Sequence, residues 1–293
     1  MRIGEKIKKL RTSKVMTQSE LAGTHITRNM LSCIENGSAQ PSLGTVQYLA
    51  ERLNVSPGYL LADEEDEQIY LKHNHIMNIK KAFLNGDYQI CRDICRNLEE
   101  STDDEIYLIL AEATLHLGIE EFNQGNLRIA CDFFDEALEH CAKTIYHTDT
   151  ILSIVGAYFR YMRMISATLS SNMIDESEVS LFLGLNEEFC RYVILLECEN
   201  KEEHLSKAYQ EISLPSDSPF GWHLKARTLM TEKNFGEAYS FLHQILVEDR
   251  PIPEPVLYFV FCDLEICCKE IEDYKGAYEY ASAKLEILQK LLS

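Results

Sequence analysis

Residues 17–37 read TQSELAGTHITRNMLSCIENG, and the spacing of caps and apolar side chains in this stretch decides the fold of the first part of the chain. Thr17 stands as an N-cap before a short helix that carries Gln18 and the inward pair Leu21–Ala22. Gly23 to Ile26 form a tight turn. Thr27 caps the next helix, which turns Leu31 and Ile34 inward and stops at Asn36–Gly37, a C-terminal signal. Upstream, Ile3, Ile7 and Leu10 repeat at helical spacing as far as Lys14. Downstream, Pro41–Ser42 start a fourth helix with Leu43, Val46, Leu49, Ala50 and Leu53 inward, and Ser56–Pro57 start a fifth. Five short helices with a tight turn between the second and third fit a helix-turn-helix unit.

In such a unit the first turns of the third helix lie in the major groove of DNA. Arg28, Asn29, Ser32 and Cys33 share the face opposite Leu31 and Ile34. Arg pairs bidentately with guanine and Asn with adenine, so Arg28 and Asn29 are the expected readers of sequence. Thr17 and Gln18 begin the second helix, where side chains and free backbone N–H groups suit phosphate contacts, and Thr27 begins the third. The stretches TQSELAG (17–23), ITRNMLSCIENG (26–37) and PSLGTVQYLAERLNV (41–55) closely resemble the Xre/Cro-like family. The resemblance covers residues 1–62 and implies a structural ion pair between Arg11 and Glu35. The step from Ala22 to Thr27 is one residue shorter than in the phage repressors of that family, and Cys33 stands where a polar reader is common.

Charge divides the chain at the same place. Residues 1–62 hold eight Lys/Arg against four acids, whereas residues 63–293 hold 20 against 43, which accounts for the net charge of −19. A polyanion is attracted to the first part and repelled by the second. The expected domains are therefore a DNA-binding domain at 1–62 and a regulatory domain at 63–293. No apolar run reaches membrane-spanning length, and the basic N-terminus has no apolar stretch behind it, so a cytoplasmic protein without a membrane partner is expected. The ten Cys include no Cys-x-x-Cys pair and fall in amphipathic patterns, which implies reduced, packed thiols and no metal site. No phosphate loop, Gly-x-Ser-x-Gly elbow or His-Glu-x-x-His is present, so neither an enzyme nor a cofactor is expected.

The run Asp63–Glu67 reads as the acidic first turn of the next helix after a short linker. Beyond it the chain is helical throughout, punctuated at Asn85–Gly86, Gly125–Asn126, Asn172, Pro215–Pro219, Asn234, Pro251–Pro255 and Asp273. Small residues return in phase after these turns: Cys91, Ala130, Ala208, Ala238 and Ala277, at separations of 39, 78, 30 and 39, with a divergent unit implied near 169. Leu117, Gly118, Ala130, Phe134 and Ala137 form one clear set, and Trp222, Ala226 and Ala238 another. The pattern resembles degenerate tetratricopeptide (TPR) repeats. It implies an all-α chain in which the five-helix head is followed by a right-handed superhelix of helical hairpins with a concave groove.

Helical phase assigns to that groove Lys80, Phe122, Asn123, Tyr158, Tyr161, Asn200, His223, Arg227 and Lys269, along with His73, Phe83, Glu112, Ile119, Glu197 and Met230. Aromatic walls with amides and a few cations suit an extended peptide. A basic head of the Xre type on about 230 residues of such hairpins resembles the PlcR/Rgg/PrgX (RRNPP) peptide-sensing regulators of Gram-positive bacteria. The resemblance implies a homodimeric transcription factor on a palindromic operator of double-stranded DNA, with a short signalling peptide in the groove. The alternative is a repressor whose repeats dock a protein partner and take no peptide.

Overall fold

The computed structural model describes residues 2–63, 67–98, 103–169, 187–199, 213–248 and 250–292. Among them are fifteen helices and no strand. The chain divides into two compact units, Met1–Ile106 and Tyr107–Ser293.

The first unit opens with α1 (Ile3–Ser13), α2 (Gln18–Ala22), α3 (Arg28–Glu35), α4 (Leu43–Leu53) and α5 (Pro57–Leu61). Their apolar faces close one core: Ile7, Leu21, Ala22, Leu31, Ile34, Val46, Leu49, Ala50, Leu53, Tyr59 and Leu60 are all buried. Leu43, read from sequence as inward, is instead exposed. It is the first residue of α4, ahead of the turn whose phase turns Val46 and Leu49 inward. Lys6 is fully buried, and its ammonium donates to the carbonyls of Tyr59 (3.1 Å) and Ala62 (2.9 Å) at the end of α5. A cation is favoured at the C-terminal end of a helix, so Lys6 stabilises the end of α5 while its own hydrogen bonds are satisfied.

The same unit continues with α6 (Glu67–Leu84) and α7 (Tyr88–Arg96). A Cβ added at Gly58 would lie 2.2 Å from the Tyr70 ring, so α5 and α6 are in close contact there. The unit thus extends past residue 62, the division drawn from charge and motif. Residues 64–66, within the acidic run, lie outside the described residues.

The second unit contains most of α8 (Asp104–Asn123), then α9 (Leu127–Cys141), α10 (Asp149–Leu169), α11 (Glu188–Glu199), α12 (Pro219–Thr231), α13 (Phe235–Val247), α14 (Glu254–Glu270) and α15 (Tyr274–Leu291). One local device recurs in both units, joining α6 to α7, α8 to α9, α12 to α13 and α14 to α15. A residue with positive φ (Gly86, Gly125, Lys233, Glu272) is followed by an Asp or Asn cap (Asp87, Asn126, Asn234, Asp273). Each cap N–H returns to the carbonyl five residues back: Ala82, Glu121, Leu229 and Cys268. The preceding N–H closes the shorter loop, to Phe83, Phe122, Met230 and Lys269. This is the Schellman arrangement, which satisfies the otherwise orphaned carbonyls of the first helix. The fourth residue of each second helix is then Cys91, Ala130, Ala238 or Ala277, and all four are buried.

Why the small residues recur is visible between α8 and α9. A Cβ at Gly118 would stand 2.5 Å from the Phe134 ring, so the absent side chain is what admits the aromatic. The core that follows is largely aromatic: Phe122, Phe134, Tyr158, Tyr161, Phe189, Tyr192 and Trp222 belong to one cluster. Ala208, Ile212, Asn172 and Asn200 lie outside the described residues, as does the side chain at 169. Cys91, Cys95, Cys141, Cys190, Cys267 and Cys268 are buried, and the described residues hold no disulfide. Burial, with Asp263 and Cys268 nearby, pushes the Cys267 thiol up to about 12, which keeps it protonated at neutral pH. No group of metal-binding side chains and no helix able to cross a membrane occurs among the described residues.

Candidate nucleic-acid interface

The candidate surface is built by α2, α3 and the turn between them. Leu21 and Ala22 anchor α2, while Leu31 and Ile34 anchor α3, and the opposite face of α3 is left to solvent. Thr27 ends the turn as the N-cap of α3, its hydroxyl accepting from the Met30 N–H at 3.1 Å. The next two residues, Arg28 and Asn29, are exposed, as are Thr27 and Cys33, and Ser32 is half-buried. A capped helix with its first turn in the open and its second anchored in a core holds two long polar side chains in fixed register.

Thr17 caps α2 in a reciprocal box: its hydroxyl accepts from the Glu20 N–H (3.2 Å), and the Glu20 carboxylate accepts from the Thr17 N–H (2.6 Å). Gln18 is turned inward, its amide donating to Glu35 at 2.8 Å, so this nitrogen braces α3 and does not face outward toward a phosphate. Arg11 meets the same carboxylate in a fork, with Nε to Oε1 at 2.6 Å and Nη2 to Oε2 at 3.1 Å, and it also donates to the Met16 carbonyl. Burial pushes the Glu35 carboxyl up, but hydrogen bonds from Arg11 and Gln18 and the charges of Arg11 and Lys8 outweigh it. The carboxyl therefore sits below the usual carboxylate range. Three helices are tied at one point behind the reading face.

Two residues that sequence reasoning passed over, Tyr48 and Arg52, hold the turn that Gly23 begins. Tyr48 of α4 donates to the Ala22 carbonyl (3.1 Å) and stacks on His25, with ring centres 4.4 Å apart. Arg52, one turn on, donates to the Glu20 carbonyl at 2.6 Å. Gly23 has φ +53°, and a Cβ there would reach within 2.4 Å of the Tyr48 hydroxyl. Their only sequence signal was the i, i+4 spacing of Tyr48 and Arg52 on the outer face of α4.

The expected groove residues are scattered in their surroundings. In the first unit Lys80 is exposed and pairs with Glu105 at 2.9 Å. In the second unit Asn123 and Lys269 are exposed, and Lys269 pairs with Glu265 at 2.5 Å. Phe122, Tyr158 and Tyr161 are core residues. Phe122 packs edge-on against Tyr158, Tyr161 and Phe189, and an aromatic enclosed in this way presents no wall to a ligand. His223 is also fully buried. Its Nδ1 is 2.6 Å from the Tyr192 hydroxyl, and its Nε2 is 3.0 Å from Asp263.

Asp263 in turn accepts from Arg227 at 2.9 and 3.2 Å. Burial raises the Asp263 carboxyl, and the hydrogen bonds and charges of His223 and Arg227 more than offset this, leaving it depressed. An ionised carboxylate only accepts, so His223 Nε2 carries a proton. Helical phase had put His223 and Arg227 on one open face; packing joins them with Tyr192 and Asp263 in a polar string through the core, with Arg227 half-buried at its end.

Residues 7–60 match the helix-turn-helix family model, and the N-terminal domain is a helix-turn-helix domain of the Xre type. No curated protein matches the chain. Among solved structures, PlcR of Bacillus thuringiensis in complex with the peptide PapR7 and DNA is 14% identical, covering 99% of this chain and 96% of its own, with a TM-score of 0.23. A mutant of PrgX is 14% identical, covering 97% and 98%, with a TM-score of 0.31. The apo form of the competence regulator ComR from Streptococcus vestibularis is 15% identical, covering 97% of each chain, with a TM-score of 0.27.

Proposed function

We propose that this helix-turn-helix DNA-binding protein is a cytoplasmic, homodimeric transcription regulator that reads a palindromic operator with Arg28 and Asn29. Residues 1–62 act as the reader and 63–293 as the regulatory part. The observation that carries the reading is the exposed first turn of α3, capped by Thr27 and braced from behind by Arg11, Glu35 and Gln18. Arg28 takes the guanine edge and Asn29 the adenine edge, with Ser32 and Cys33 lying beside the same groove. Thr17 contributes a backbone contact to phosphate at the start of α2. Two heads on a palindrome add their contacts, which a single weakly basic head needs in a chain of net charge −19.

The regulatory part, in this proposal, binds a short signalling peptide. The resemblance of the sequence to the peptide-sensing regulators motivates that choice. Its contacts are drawn from Asn123, Arg227 and Lys269, with Arg227 offered to an acidic group of the peptide. Phe122, Tyr158, Tyr161 and His223 support the walls from within.

The test begins with selection of binding sites from random double-stranded DNA. Arg28→Ala should then weaken the selected site by about 10- to 100-fold, corresponding to ~1–3 kcal/mol per bidentate contact, and relax the preference at one base pair per half-site. Undiminished specificity with an intact helical spectrum overturns the assignment. Peptides recovered from culture medium, added to the same assay, should shift operator affinity for the wild type and less so for Arg227→Ala.

A further inference from the structure

The second unit holds a cavity of about 510 Å³, a volume in the range of small-molecule sites. Leu195 of α11, Leu214, Trp222 and Leu224 of α12 and Phe241 of α13 give it apolar walls. Leu195 and Trp222 are buried, whereas Lys225 and Thr228, which add to the lining from α12, are exposed. At 3.6 residues per turn, Leu224, Lys225 and Thr228 are turned from His223 and Arg227 by roughly a third of a turn. The cavity is thus separate from the face of α12 that bonds Asp263.

One wall is fixed in place by the chain itself. The segment before α12 is pinned at four carbonyls. Arg191 donates to that of Ser213 (3.1 Å), the Ser218 N–H to Pro215 (3.2 Å), the Trp222 indole N–H to Ser216 (3.0 Å) and Arg250 to Asp217. A Cβ at Gly221 would lie 2.6 Å from the Pro215 carbonyl oxygen, so the glycine lets the segment close against the helix. Arg250 also stands over the indole, 5.9 Å from its centre. A wall held in this way does not have to be ordered by whatever enters.

The Trp222 N–H is engaged by Ser216, and the Thr228 hydroxyl donates to the Leu224 carbonyl at 3.1 Å. Lys225 pairs with no acid among the described residues, although Lys269, Lys284 and Lys290 of the same unit each do. In a part of the chain with 43 acids and 20 bases, an unpaired cation beside an apolar cavity selects an anion that carries an apolar body. We propose that the cavity binds a small amphipathic anion, an aliphatic chain ending in a carboxylate. The chain lies between Trp222, Leu224 and Phe241, and the carboxylate meets the Lys225 ammonium. This ligand is distinct from the signalling peptide, and its site stands or falls independently of the peptide reading.

Trp222 is the single tryptophan of the chain, so its emission reports on the cavity directly. Decanoate, decanol and decylammonium, each kept below micelle-forming concentrations, serve as probes on the full chain. Decanoate should change the emission saturably with one site per chain, and decylammonium should bind at least about tenfold more weakly. Lys225→Met should weaken decanoate about tenfold, the loss of one charge-assisted hydrogen bond, and leave decanol unchanged. Thr228→Phe, at an exposed position of the lining, should abolish binding of both by filling the space. Thr231→Phe, on the same helix but outside the lining, should bind decanoate as the wild type does, and all three variants should keep its helical spectrum. An unsaturable emission change, decanol or decylammonium bound as tightly as decanoate, or undiminished binding of decanoate by Lys225→Met or Thr228→Phe overturns the proposal.

Discussion

In the head, Arg11 meets Glu35 across 24 residues of chain; in the body, Arg227 meets Asp263 across 36. The first pair closes over an aliphatic core and ends there, with Gln18 as its one further side-chain brace. The second begins at a half-buried arginine and runs inward through His223 to Tyr192, inside an aromatic core. A buried charge is tolerable only with its hydrogen bonds made, and the longer string has more to lose when one member goes. The head's pair therefore acts as a local clasp, and the body's string specifies how α11, α12 and α14 fit together.

Substitutions on each side sharpen that contrast. Asp263→Ala should have the largest effect, about 3–5 kcal/mol, because it removes the carboxylate that both Arg227 and the fully buried His223 bond. Denaturant unfolding followed by the tyrosine and tryptophan signals of the body measures it, and a loss below ~1 kcal/mol would make the string dispensable. Glu35→Gln should cost less, about 1.5–3 kcal/mol, read from hydrogen exchange of α1 to α3. The Glu35 carboxyl is depressed in the folded state, so the unfolded state binds more protons in acid. Its contribution is fully present above the ordinary carboxylate range and fades as pH falls through the lower folded value. The head of Glu35→Gln should accordingly lose less stability than wild type on going below about pH 4.5.

Thr27→Ala removes one cap and should cost about 1 kcal/mol, again in head exchange, while loosening the first turn of α3 that presents Arg28. Lys269→Ala should be smallest, within ~0.5 kcal/mol in a thermal melt. The residue is mostly exposed, and Glu265 keeps Lys284. A larger loss would show that the surface pairs of the body share in its specification.

The head was largely legible because its signals are local. Caps at Thr17, Thr27, Ser42 and Ser56 and the inward phase of Leu21, Leu31 and Ile34 each act within a turn or two. Tyr48 and Arg52 were missed because they act on a turn about 25 to 30 residues away. In the body, the phase of Cys91, Ala130, Ala238 and Ala277 identified the hairpins, since one turn geometry demands a small residue at one place in the second helix. The same phase mistook Phe122, Tyr161 and His223 for groove walls. Helical phase tells which side of a helix a residue occupies, and only the neighbouring helices decide whether that side meets solvent or another core.

Sequence by itself determined the all-helical class, the capped helix that begins with Arg28 and Asn29, the charge division and the repeating hairpin, because all depend on short-range spacing and on composition. Tertiary structure alone decided that Lys6 would be buried against α5, that Gln18 would turn to Glu35, and that Tyr192, His223, Asp263 and Arg227 would join. Each of those needs partners distant in the chain to be brought within 3.1 Å, and no local pattern records such a meeting.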